Sequence, residues 1–177
     1  AQAFLETLTP EQKKVASFGF NDPERINWHF IPRPRKGLPL RDMSEVSRKA
    51  AHRLSASSLS QAGYEQTLDV MSLEEVLYLI DVAKERKVRR DFRNPGKYYF
   101  SIFDTPSLTG KWGWRLEGHH ISLNFTIENG VVVSSTPEFF GANPGSLDAG
   151  PGLHHAPPIR PGGSEPAGQG QRPRANA

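Results

Sequence analysis

"KWGWRLEGHHISLNFTIENGVVVSS", residues 111–135, decides the fold. Apolar and polar residues alternate through most of it, which is the period of a β-strand rather than a helix. Ile121, Leu123, Phe125 and Ile127 share one face with His119, while His120, Ser122, Asn124 and Thr126 share the other. The first face reads as core, and the second as solvent or a pocket wall. Asn129-Gly130 is a strong signal for a tight hairpin turn. A glycine before the histidines, Gly118, is a place for a bulge that could re-aim one of them.

Working outward, "YYFSIFD" (98–104) and "VVVSSTPEFF" (131–140) extend the meander on either side. Upstream the period is helical. Thr9, Pro10 and Gln12 have the spacing of a capping box with proline in the first turn. Ser44 or Asp42 caps a second helix with Val46, Ala50 and Leu54 on its apolar face, and Gly63 is read as its terminator. Ser72 and Glu75 are read as the capping box of a third helix. "IPRPRKGLPL" (31–40) has three prolines and must be an extended loop. Helices followed by a meander predict an α+β fold: three N-terminal helices packed on about four antiparallel strands.

The 177 residues fit one domain, expected over 1–147. Residues 148–177 are rich in Gly, Pro, Arg and Ala, of low complexity, and are expected to be a disordered tail; its His154-His155 doublet is expected to be a chance pair. With no cysteine, disulfides, thiolate nucleophiles and Cys-based zinc sites are excluded. No apolar run approaches the ~20 residues of a membrane helix. A net charge of +3 and no recognised motif argue against a nucleic-acid partner, and the basic residues Arg86 to Arg93 read as a solvated turn after a helix. "AQA" at residues 1–3 resembles the end of a signal-cleavage site, so a secreted or periplasmic location after signal removal is expected.

Several long strings carry a resemblance: "WHFIPRPRKGLPLRDMS" (28–44), "GYEQTLDVMSLEEVL" (63–77), "YYFSIFDTPSLTGKWGWRLEGHHISLNFTIENG" (98–130) and "STPEFFGANP" (135–144). In this order they resemble the N-terminal part of domain of unknown function family 3500, from about Phe4 to Pro144. The resemblance implies a fold and characteristic residues but no reaction. It also implies a chain about twice as long, with further histidine-containing strands, so truncation or a frameshift after about residue 145 is expected. An unpaired sheet edge would then invite self-association.

Function rests on candidate side chains. A polar pocket is expected around His120, His29 and Glu117, with Arg115 and Asn124 orienting a small-molecule ligand. His120 would act as base, on a hydrolase or metal-assisted enzyme. Ser101, Ser122 and Ser134 are the strand serines within reach of such a base, and Asp104 or Glu117 could orient it. His29, His119 and His120 are candidate ligands for a divalent metal, although their spacing matches no ligand signature. The alternative is a glycan-binding module stacking sugars on Trp112 and Trp114 if these are exposed.

Overall fold

The computed structural model describes residues 1–146. The helices are α1 (Gln2–Glu6), α2 (Pro10–Ala16), α3 (Glu45–Ser58) and α4 (Gln61–Ala83). The strands are β1 (Ser17–Phe18), β2 (Leu38–Pro39), β3 (Tyr99–Phe103), β4 (Lys111–Gly118), β5 (Ile121–Glu128), β6 (Val131–Ser134) and β7 (Glu138–Phe140). The fold is α+β, as expected, with four helices for three and a seven-stranded sheet. Its main path runs β1-β3-β4-β5-β6, with β2 on β3 and β7 on β5. Every pairing is antiparallel except β1 with β3. The tail beyond residue 147, with its histidine doublet, lies outside the described residues.

Local signals explain the well-placed boundaries. Thr9 and Gln12 form the expected reciprocal capping box on α2, and Ser44 caps α3 through the Ser47 amide. Asn129 and Gly130 both have positive φ, 51° and 76°, as a tight hairpin turn demands. Two readings change. Gly63 does not end α3; Ser60 caps α4, and Gly63 lies inside its first turn, donating its N–H to the Ser60 hydroxyl. Ser72 is not a cap but sits mid-helix, bonding the Asp69 carbonyl, so the expected third helix and the turn before it are one 23-residue α4. On α3 the buried stripe is Ser47, Ala51, Leu54 and Ser55, while Val46 is exposed. The Ser47 hydroxyl sets that rotation by donating to the Thr7 carbonyl at 2.9 Å.

Strand alternation builds the core. Phe100, Ile102, Trp112, Trp114, Leu116, Ile121, Leu123, Phe125 and Ile127 form one apolar face, packed with Phe4, Leu54, Val70 and Met71 of the helices. The Trp114 ring stacks on Phe125, with centroids 4.6 Å apart and 12° between planes. The opposite face carries Ser101, Arg115, Glu117, Ser122 and Asn124, and it too is buried. No helix covers it. The segment 20–37, with a 3₁₀ turn at Pro23–Ile26 and the prolines 32 and 34, lies across it as a strap.

The strap is fastened by charge. Arg115 donates to the Glu24 carbonyl (2.7 Å) and carboxylate (2.6 Å). Glu117 accepts the Arg35 Nε–H at 2.7 Å and the His29 backbone N–H at 3.2 Å. Arg35 also donates to the carbonyls of His29 (2.8 Å), Ile31 (2.6 Å) and Gly118 (3.0 Å). Arg115 Nε lies 2.9 Å from the second Glu117 oxygen, but the two are not aligned as a hydrogen bond. Arg115 and Glu117 are 1% and 2% exposed. Removing one member of a buried ion network leaves the others unpaired, which costs about 3–5 kcal/mol. Arg115→Met is therefore expected to lower unfolding free energy by about that amount, read from a urea titration.

Candidate functional site

The histidine doublet is a turn, not the start of a strand. Gly118 pairs in register with Ile121, so β4 and β5 are joined by His119-His120 alone, with no bulge at Gly118. The β5 register shift lies instead at Thr126/Ile127. His120 has φ 59°, a left-handed conformation that costs a non-glycine residue energy. Two backbone bonds hold it there: its N–H donates to the Phe30 carbonyl and its carbonyl accepts from the Gly141 N–H, both at 2.8 Å. The rings still divide. His119 Nδ1 hydrogen-bonds the Glu74 carboxylate of α4, on the helix side. His120 lies near Phe30 and Phe139, on the strap side, with its ring centroid 4.3 Å from that of His119.

Tyr98 locks this turn to α4, its hydroxyl lying 3.3 Å from the Val70 carbonyl and 3.1 Å from the His119 carbonyl. Gly118 makes room for it, since a Cβ there would meet the Tyr98 ring at 2.2 Å. Burial first, and the Glu74 charge second, push the Tyr98 phenol far above its ordinary range. It is a fixed donor rather than an acid.

Beside the turn is a cavity of about 440 Å³, whose walls include Glu74, Tyr98, Tyr99, His119, Arg33 and Lys97. A smaller cavity of about 240 Å³ lies across the strap, with Glu24, Asn27, His29, Lys36 and Glu117 in its walls. Arg33, Pro34 and Arg35 line both.

Against this geometry, the expected pocket around His120 is redistributed. Glu117 and Arg115 are not an open floor, because both are committed to the ion network under the strap. The Asn124 amide is committed to Ser122 Oγ (3.0 Å) and the Pro137 carbonyl (2.7 Å). His29 meets Glu117 through its backbone; its ring lies 3.2 Å from Asn27 Oδ1 and lines the smaller cavity. His120 Nδ1 is buried without a partner, and its ring packs against Gly141. His119, assigned to the core in sequence, is the one that lines the larger cavity. Among the described residues no three His, Asp or Glu side chains converge as metal ligands, and His29 stands apart from the doublet. Trp112 and Trp114 are both buried, the first donating to the Ser107 carbonyl, so neither presents a ring to a ligand. None of the three candidate serines lines the larger cavity.

Glu74 was missed, yet it leaves a signal. The buried face of α4 is Thr67, Val70, Met71, Glu74, Leu77 and Asp81, so two carboxylates sit in an apolar stripe. Asp81 is paired with Arg86 and Arg93 (3.0 and 3.1 Å). Burial alone would raise its carboxyl, but those hydrogen bonds and charges together hold it below the ordinary range. Arg90 pairs with Glu75. The basic stretch after α4 therefore largely folds back onto that helix's acids. Exposed aromatic residues also lie elsewhere than expected: Phe92 is 50% exposed, and Phe30 is 41% exposed, 4.7 Å from Phe139, with Trp28 alongside.

Fold and site together define an α+β protein with a histidine–carboxylate pair at the wall of a cavity. The family model described as "Protein of unknown function (DUF3500)" matches residues 1–158, and the chain belongs to that family. The match continues past Pro144, the end of the strings that carry the resemblance. No curated protein and no solved structure matches the chain. No described helix is long and apolar enough to cross a membrane.

Burial, reinforced by the neighbouring His119 and opposed by Glu74, lowers the His120 pKa below its ordinary 6.5. The folded state then binds fewer protons than the unfolded state just below that pH, so stability falls as pH drops through it. His52, lowered by burial and then by Arg48, acts in the same direction. His120→Asn, which tolerates positive φ, is expected to shrink but not abolish the fall in urea midpoint below pH 6.5.

Proposed function

We propose that this chain is an acid–base enzyme of hydrolytic type whose working group is His119, oriented by Glu74. The supporting observation is the His119 Nδ1 to Glu74 hydrogen bond at the wall of the larger cavity. A carboxylate on one ring nitrogen fixes the tautomer and makes the other nitrogen the better base. No described protein group hydrogen-bonds Nε2 of His119. Without a serine in the cavity wall, the reaction this arrangement suits is activation of a water molecule rather than attack by a side-chain hydroxyl. Tyr98 is a positioning residue, because it holds the turn that carries the base.

A second, non-catalytic reading is favoured by the half-exposed aromatic group of Trp28, Phe30 and Phe139, a better seat for a sugar ring than the buried Trp112 and Trp114. One screen separates the two, using purified protein with p-nitrophenyl esters, phosphates and glycosides. Turnover on at least one substrate is expected, reduced about 100-fold or more in His119→Gln and in Glu74→Gln, the scale of general acid–base catalysis. His29→Ala should change it far less. Turnover that survives His119→Gln sinks the acid–base reading. Absence of turnover, with sugar-induced fluorescence quenching lost in Trp28→Phe, favours the second.

A further inference from the structure

The cavity that holds the Glu74–His119 pair has an unbalanced wall. Four cationic side chains line it, Arg33, Arg35, Arg41 and Lys97, against one carboxylate, Glu74, which is already bonded to His119. Arg35 is neutralised by Glu117 and belongs to the strap. The other three have donors to offer. Arg41 and Lys97 converge on a single carboxylate, Asp91, so two cations share one charge. A second acid, Asp42, reaches only Arg41, 3.6 Å away and well exposed. An arginine carries five N–H donors and a lysine three. Arg41 gives Nη1 to Asp91 and Lys97 gives one bond at 3.0 Å, which leaves several unused.

Arg33 is the strongest of the three. No described carboxylate lies within ion-pair distance of it. It stands between Pro32 and Pro34, whose rings fix their own φ, and Arg35, two residues on, is bonded to the sheet. Its unpaired guanidinium, carried on a held stretch of backbone, offers a planar fork of donors to a planar or tetrahedral oxyanion. Tyr99 and Phe92 add aromatic surface to the same wall, and the volume suits a small molecule.

We propose that this cavity binds a small organic anion, its carboxylate or phosphate group held by Arg33 together with the Arg41–Lys97 pair. The anion is the substrate class of the acid–base site, and in that role the proposal rests on the reading above; binding itself stands on the cavity alone.

Isothermal titration calorimetry on the whole chain at low ionic strength tests it, with inorganic phosphate, pyrophosphate and citrate as probes. At least one is expected to bind, and the phosphate and citrate arms decide which oxyanion is preferred. Arg33→Ala and Lys97→Met should each weaken that probe about tenfold or more, the scale of a charge-assisted hydrogen bond. Arg33 is exposed, so its variant is expected to fold normally. Arg89→Ala, outside the cavity lining, should leave binding within about twofold, since an exposed solvated charge contributes little. No heat with any probe overturns the proposal, as does equal loss in Arg89→Ala. Turnover without anion binding sinks this inference alone; anion binding without turnover sinks the acid–base reading alone.

Discussion

Glu117 lies between two guanidiniums in the interior, and much of the molecule follows from that contact. The sheet has two buried faces, only one of them apolar. The other carries a carboxylate and an arginine on one strand, two residues apart, whose burial is costly unless paired. The strap segment supplies what they lack: Glu24 for Arg115, and Arg35 with the His29 amide for Glu117. Apolar side chains of similar volume could cover a sheet face at less electrostatic cost. What the ions provide is register, since a strap displaced by one residue would leave two buried charges unpaired. That register sets the shared wall, Arg33 to Arg35, between the two cavities.

The same logic places the histidines. A two-residue hairpin turn occupied by His119 and His120 puts the two rings edge to face at the sheet end, 4.3 Å apart, each with its own further neighbours. His119 reaches Glu74 on the helix layer, and His120 packs beneath Phe30 and beside Gly141 on the strap layer. The turn thus reports on both layers. Tyr98 and Arg35 each bond a carbonyl of this turn region, at His119 and Gly118. Base and strap are therefore tied through a few backbone bonds.

What was legible in the sequence was local. The capping box at Thr9, the Ser44 cap, the Asn129-Gly130 turn and the alternation of β4 and β5 are all set by neighbours within four residues. Strand alternation separates the doublet but gives His120 the pocket, whereas the turn puts His119 at the wall of the larger cavity and leaves His120 Nδ1 buried. Gly63 and Ser72 were misleading, because a helix whose buried face packs on the core tolerates a residue that looks like a stop and one that looks like a start. The site was less legible because its partners are remote. Glu74 and His119 are 45 residues apart, and Arg35 and Glu117 are 82 apart. No periodicity encodes such pairs. The buried acids on α4 were the available clue, a charged residue where the helical stripe calls for an apolar one. Trp112 and Trp114 are buried, so the condition of exposure that glycan stacking requires is not met; aromatic residues on an alternating strand belong to the core first.

Amide hydrogen exchange tests the central claim, that buried ions fasten the strap to the sheet. The His29 amide donates to Glu117 and the His120 amide to the Phe30 carbonyl, so both should be protected in the native protein. In Arg35→Met both should lose protection while the core-strand amides of Ile102 and Leu123 keep theirs. A His29 amide that exchanges at the rate of a free loop in the unmodified protein would contradict the account, as would strap protection unchanged by Arg35→Met.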